Sequence, residues 1–312
     1  MRHPATDPML DGDDYLPATE RRLEASMGLD TMSSLEILNL LASQDRVAVD
    51  AVTDAAADLA ELVDVAADRI RRGGSVHYFG AGTSGRLAVL DAAELLPTYN
   101  LDSGVVVAHM AGGPAALVKS VENVEDSQEE GRADADGLGP NDVAIGLAAS
   151  GNTPYVGGAL AAARDAGAYT ALISSNSRAS LAPLADTVVL LETGPEVVTG
   201  STRLKAGTAE KLALNGFSTA LMIALGRTWS NLMVSVVASN EKLRRRTVRI
   251  LMQATDLSEA ESQAALGAAG GDLKVAIVAS VAGVDADSAR ASLAQNSESV
   301  RDALAGLATV SS

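Results

Sequence analysis

The sequence predicts an α/β protein: a parallel sheet sandwiched by helices, with an N-terminal helical arm and a small C-terminal helical bundle. Three observations lead there. Through the middle of the chain, short β-rich runs alternate with helical periodicity, as in a parallel sheet covered on both faces. From about Arg203 the pattern is helical to the end. Two of the β-rich runs end in Gly/Ser/Thr-rich segments that open helices. Right-handed crossovers bring strand C-termini to one edge, so those segments meet where a ligand would sit.

Taken in order, the first 18 or so residues read as a flexible arm, acidic through Asp7, Asp11, Asp13 and Asp14. Ser33-x-x-Glu36 is a capping box ahead of Leu35, Ile37, Leu40 and Leu41, which marks a helix start. A longer helical pattern runs from about Arg46 to Arg72 and stops at Gly73-Gly74. Strands are expected at Ser75–Phe79, Gly104–His109, Asp142–Leu147, Tyr169–Ser174 and Thr187–Leu191, with a clear helix over Thr153–Ala166. Arg203–Thr255 reads as two helices broken near Gly226. A second capping box, Ser258-x-x-Glu261, opens a region punctuated by Gly270-Gly271 and Gly283. There a weak repeat sets Leu257, Leu266, Ala276 and Ile277 opposite Val284, Leu293, Ala303 and Leu304, consistent with two helix pairs in a small bundle. The domains expected are 1–55, an arm with helices; 56–228, the sheet domain; and 229–312, the C-terminal helices.

Composition narrows the function. Hydrophobic residues make up 47% of the 312, enough for real cores rather than a disordered chain. No apolar run reaches the ~18 residues of a membrane span; the longest, Leu212–Leu225, contains Asn215, Ser218 and Thr219. The sequence has no cysteine, which removes disulfides and thiolate chemistry, and the N-terminus lacks a basic-then-apolar signal pattern. A cytoplasmic protein without membrane association fits these features. A formal charge of −16 argues against nucleic acid as a partner. The basic cluster Lys242, Arg244, Arg245, Arg246 and Arg249 reads better as a solvated helix face than as a phosphate track. An anionic metabolite remains compatible with an acidic chain if the site supplies local donors.

Three segments can supply them. In Gly80-Ala81-Gly82-Thr83-Ser84-Gly85-Arg86 the glycines permit a tight turn and close backbone approach. The free N–H groups of the following helix suit a phosphate, and Thr83 and Ser84 add hydroxyls. The segment lacks the Gly-Lys-Ser/Thr ending of a P-loop and does not fit G-x-G-x-x-G, so taken alone it reads equally as a phosphate site and as an ordinary strand-to-helix turn with hydroxyl caps. In Ala149-Ser150-Gly151-Asn152-Thr153-Pro154, Thr153 stands at an N-cap with Pro154 at the first helical position. Two hydroxyl-rich segments of this kind at one sheet edge would surround a phosphate without any lysine. In Gly194–Lys205, Arg203 and Lys205 add positive charge near Ser201 and Thr202, serving either an anionic substrate, the preferred reading, or a surface salt bridge.

Gly80–Arg86 followed by Leu90-Asp91-Ala92-Ala93-Glu94 and Pro97-Thr98-Tyr99 resembles the signature of the N-acetylmuramic acid 6-phosphate etherases, which have the sugar isomerase (SIS) fold. So do Ala111-Gly112-Gly113, Val121–Asp126, Ala148–Tyr155, Gly194–Lys205 and Asn231-Leu232-Met233-Val234. The resemblance runs in register from about Thr19 through the C-terminal helices. It implies a lyase that cleaves the D-lactyl ether of N-acetylmuramic acid 6-phosphate to N-acetylglucosamine 6-phosphate and D-lactate in cell-wall sugar recycling. It further implies no metal or organic cofactor, and a homodimer with the site near the subunit interface. In the ring-opened sugar the C2 proton is removed, lactate leaves from C3, and water adds to the double bond. By the motif match, Glu94 is the acid that serves the lactate oxygen and then the water, with Leu95 and Leu96 as an apolar setting. Glu125 is the base at C2. Composition alone would leave Glu125 as one member of the acidic run Glu122–Glu130. The phosphate-binding set is Gly82, Thr83, Ser84, Arg86, Ser150, Gly151, Asn152, Thr153, Ser201, Thr202, Arg203 and Lys205.

The chain departs from the family pattern at several positions. Leu95-Leu96 stands where Cys-Pro is common, Asn152 where Arg is common, and Ser235 where Asp is frequent. Leu23 replaces an Asn, and His109 occupies a position that is usually apolar. Two other readings share the fold. A sugar-phosphate isomerase would exchange aldose and ketose without releasing lactate. A non-catalytic sugar-phosphate sensor would not need both glutamates.

Overall fold

The computed structural model describes residues 16–119, 121–236 and 241–310. Most of the expected N-terminal arm lies outside the described residues. The chain divides into two compact units that interleave along the sequence. The larger takes the segments up to Leu62, Arg69–Val89 and Val106–Gly216; the smaller takes Val63–Asp68, Leu90–Val105 and Phe217 onward.

In the larger unit, three short 3-10 turns at Ala18–Glu20, Glu24–Ser26 and Leu29–Thr31 precede helix α1 (Ser34–Asp54). The capping box opens α1: Ser33 Oγ accepts from the Glu36 N–H, and Glu36 accepts from the Ser33 N–H at 2.7 Å. The expected start of a second helix near Arg46 is not seen. Helix α1 runs through that point and breaks at Ala55, and α2 follows as Ala56–Arg71. No Gly or Pro occurs between Arg46 and Ala55, so nothing stops the helix sooner.

Five strands follow: β1 (Val76–Gly80), β2 (Val106–Met110), β3 (Val143–Leu147), β4 (Tyr169–Ser174) and β5 (Thr187–Leu190). They lie within a residue or two of the expected runs. All pairings are parallel, in the order β2-β1-β3-β4-β5. β3 is buried at every position, as a strand covered on both faces must be. Helix α3 (Gly82–Tyr99) leaves β1. Short α4 (Ala115–Val118), a 3-10 turn at Val124–Asp126 and α5 (Gln128–Asp134) connect β2 to β3. Helix α6 (Pro154–Asp165) connects β3 to β4 and is buried nearly all round. It crosses α5 at backbone contact: a Cβ on Gly131 would lie 1.9 Å from Tyr155 O, and one on Gly158 2.0 Å from Gln128 O. Phe79, Tyr155, Leu160 and Leu172 fill the core between sheet and helices.

Helix α7 (Lys205–Ala224) begins in the larger unit and ends in the smaller. The break expected near Gly226 is wider than a kink, because a two-stranded hairpin, β6 (Thr228–Trp229) and β7 (Leu232–Met233), precedes α8 (Glu241–Thr255). Helices α9 (Glu259–Ala268), α10 (Leu273–Ala282), α11 (Ala286–Gln295) and α12 (Val300–Val310) complete the smaller unit. The weak repeat is structural: α9 and α11 start 27 residues apart, as do α10 and α12. Leu266, Ile277, Leu293 and Ala303 share one core. Among the described residues no single helix is long and apolar enough to cross a membrane; α9 and α10 reach that length only as a pair bent by 111°.

Candidate functional site

The strand order reverses direction between β1 and β3: the connection from β1 goes outward to β2, while β3 leads the other way to β4. A crevice opens at the carboxyl ends of such a pair. There the larger unit holds a cavity of about 480 Å³, lined by residues that follow β1, β2 and β3 together with Glu20 and Thr202. A groove of about 840 Å³ beside α8 and α9 is larger. It holds no predicted binding residue, and its Arg244 and Arg245 are paired with Glu241.

What reads as a loop from Gly80 to Arg86 is mostly the first turn of α3, with Ala81 alone between strand and helix. The compression depends on two glycines. A Cβ on Gly80 would lie 2.7 Å from Gly85 N, and one on Gly85 would lie 2.6 Å from Gly80 O. The unsatisfied N–H groups of the turn therefore begin directly at the pocket, where their partial positive charge favours an anion. Gly82, Thr83, Ser84 and Arg86 all line it. Ser84 also bonds beneath the turn, donating to buried Glu210 Oε2 at 2.9 Å. Arg86 donates from Nη2 to Ala116 O at 2.6 Å and from Nε to Leu117 O at 3.2 Å, so its guanidinium holds the end of α4 against the pocket wall.

After β3, Ser150 and Thr153 line the pocket. Thr153 occupies the N-cap of α6 with Pro154 behind it, but its side chain makes no capping bond. Gly151 is buried at φ +69, with no room for a Cβ: Ala179 Cβ would be 2.3 Å away. It shapes the turn without lining the pocket. Asn152 also lies outside the lining; its Oδ1 accepts from the Ser180 N–H at 2.8 Å and ties down the neighbouring turn.

The third segment contributes Thr202 alone. Ser201 is half-buried and Arg203 exposed, both outside the lining. Lys205 is buried and turned to α1, with Nζ donating to Gln44 Oε1 at 2.8 Å. Burial pushes its ammonium down, opposed by Glu196 and Asp45. Glu196 is fully buried and caps α7, accepting from the N–H groups of Lys205 and Ala206; burial raises its carboxyl despite those bonds.

Glu125 lines the pocket with Glu122 and Asn123. Asn123 takes φ +64 to start the turn that presents Glu125, and Gly112 packs beneath it against Val124. Glu94 stands farther along α3, exposed and outside the lining. Of the apolar setting expected around it, Leu95 is buried but Leu96 is 58% exposed. Sequence reasoning missed Glu20 and Glu210. Glu20 falls in the Thr19-Glu20-x-Arg22 stretch and is carried to the pocket by a bond from the Gly200 N–H to Thr19 O. Glu210 has no local signal, because a glutamate inside a helix normally faces water.

The SIS domain of the glucokinase regulatory protein, N-terminal copy, matches as a family model over residues 58–164. A protein named N-acetylmuramic acid 6-phosphate etherase from Thermobifida fusca (strain YX) is 51% identical over 260 residues, 83% of this chain and 86% of the relative. A second of that name, from Klebsiella aerogenes, is 46% identical over 92% of this chain and 96% of its own length. The chain belongs to the N-acetylmuramic acid 6-phosphate etherase family. Identity at this level extends over both compact units, so the etherase family contains the C-terminal helices as well as the SIS-type sheet.

Proposed function

We propose that this chain is a carbon–oxygen lyase that cleaves the D-lactyl ether of N-acetylmuramic acid 6-phosphate, giving N-acetylglucosamine 6-phosphate and D-lactate in amino sugar recycling. The observation that carries this reading is the near full-length relationship to etherases in a chain whose sheet edge holds a polar pocket between two helix N-termini. Phosphate binds on the first turns of α3 and α6, with hydroxyls from Thr83, Ser84, Ser150, Thr153 and Thr202. These neutral donors suit a pocket whose charged lining side chains are Arg86, bonded to the carbonyls at the end of α4, and the acidic Glu20, Glu122 and Glu125.

Glu125 takes the C2 proton of the open-chain sugar. Glu94 protonates the departing lactate oxygen and then assists water at C3. General acid–base help of this kind contributes roughly 10²–10⁴-fold for each group. The enzyme acts in the cytoplasm as a homodimer with its site near the subunit interface. In support, α1 exposes Leu35, Leu38 and Val49 on one face by helical spacing, an apolar stripe that a second copy would cover.

The test is incubation with N-acetylmuramic acid 6-phosphate in ¹⁸O water. D-lactate should appear with solvent label at C3 of the product. Release of no lactate at any enzyme concentration would overturn the assignment, and aldose–ketose exchange in its place would mark an isomerase. Sedimentation velocity should return a dimer; a monomer at micromolar concentration would remove the assembly from the proposal.

A further inference from the structure

Glu210 lies on α7 and is 3% exposed. Its Oε2 accepts from Ser84 Oγ, while Oε1 is buried with no hydrogen-bond partner. Helical spacing puts Ala206, Gly207, Ala213 and Leu214 on its side of α7, and all four are buried. From α3 it meets the Ser84 hydroxyl, and no charged side chain among the described residues shifts it. Burial pushes the carboxyl up to about 7, opposed only by the Ser84 hydrogen bond. A buried carboxylate without a cation is costly, and this one sits directly under a residue that lines the anion pocket.

Which way the Ser84 proton points depends on the charge of Glu210. A carboxylate only accepts, so ionised Glu210 consumes the Ser84 proton and leaves lone pairs toward the pocket. A protonated Glu210 donates to Ser84 Oγ instead, and the Ser84 hydroxyl is free to donate outward to a phosphate oxygen. We infer that Glu210 is a positioning residue that holds a proton while a sugar phosphate is bound and, through Ser84, turns that proton into one more donor at the start of α3. The inference rests on the sugar-phosphate reading of the pocket. Binding above neutral pH should then draw a proton from solvent.

Calorimetric titration with N-acetylglucosamine 6-phosphate in two buffers of different ionisation enthalpy measures that uptake. At pH 8 the ligand is already a dianion, since phosphate monoesters lose their second proton near ~6, and the ligand contributes little uptake. The wild-type chain should take up close to one proton per site, and its affinity should weaken roughly tenfold per pH unit between ~7.5 and ~9. In Glu210→Gln the side-chain amide donates to Ser84 permanently, so binding should persist with no uptake and little change over the same range. Ser84→Ala should bind more weakly and also without uptake, which serves if the Gln variant does not fold. Wild-type binding without proton uptake, or undiminished uptake in Glu210→Gln, would overturn the inference alone. No binding by any of the three proteins would overturn the sugar-phosphate reading, and this inference with it.

Discussion

Gly151 shows how much of the pocket depends on single backbone positions. Its φ of +69 lies in the left-handed region, and a methyl group there would overlap Ala179 and Ser174. Gly151→Ala should therefore cost about 1–3 kcal/mol from backbone strain, with the overlap adding to it, and should weaken sugar-phosphate binding by displacing Ser150 and Thr153. Urea denaturation checks the first part; an unchanged midpoint would count against this account of the turn. At Glu94 the expected change is chemical rather than structural. Glu94→Gln should lower turnover by ~10²–10⁴-fold with substrate binding retained, and normal turnover would remove Glu94 from the acid role. Each of these glycines and glutamates is visible in the sequence, but their surroundings are not. Asn152 and Lys205 read equally well as ligand contacts until the fold turns one to Ser180 and the other to Gln44.

Strands β1 and β2 carry a polar chain that the strand pattern gives no reason to expect. Their pairing sets Phe79 beside His109, with the rings stacked at 4.6 Å. His77 Nδ1 meets His109 Nε2 at 2.9 Å, and Ser75 links His77 to Asp142. Burial pushes both imidazoles down, with His109 adding to the effect on His77; Asp142 opposes it for His77 and Asp134 for His109. The unfolded chain therefore takes up protons at these rings before the folded one does. Stability should be constant with respect to this pair above the ordinary histidine value of ~6.5 and should fall as pH drops below it. His109→Leu should flatten that decline, measured as urea midpoints at pH 7.5 and 5. An unchanged slope would show that the pair does not govern acid sensitivity. The two capping boxes and the 27-residue helix spacing were readable because they are local. The α1–α2 break at Ala55 was not, because no stop residue marks it.

Over the whole chain, the formal charge of −16 sets a long-range repulsion that the local pairs do little to relieve. The ion pairs described, such as Arg132 with Asp165 and Glu241 with Arg244 and Arg245, are solvent-exposed and contribute little each. Added salt screens the repulsion more than it sacrifices such pairs. The melting temperature should rise by a few degrees (~2–5 °C) between about 10 and 200 mM NaCl. A fall would mean that attractive pairs dominate. Phosphate held at helix N-termini, as proposed, would depend on field and geometry over a few ångströms and little on the net charge.

Linear order alone carried the alternation of strands and helices, the caps, the glycine-rich turns and, through motif resemblance, the family. All of these rest on neighbours within a few residues or on patterns carried by the linear order. Only the tertiary structure decided the strand order β2-β1-β3-β4-β5, because pairing between distant segments leaves no trace in local periodicity. That order puts the crevice between β1 and β3 and sorts the candidates: Gly82, Thr83, Ser84, Arg86, Ser150, Thr153, Thr202 and Glu125 line the pocket, while Gly151 and Asn152 pack on the turn at Ala179 and Ser180 and Lys205 turns to Gln44. It also buried Glu210 beneath Ser84, where the cost of enclosing a charge makes an ordinary helix residue the most chemically distinctive group near the site.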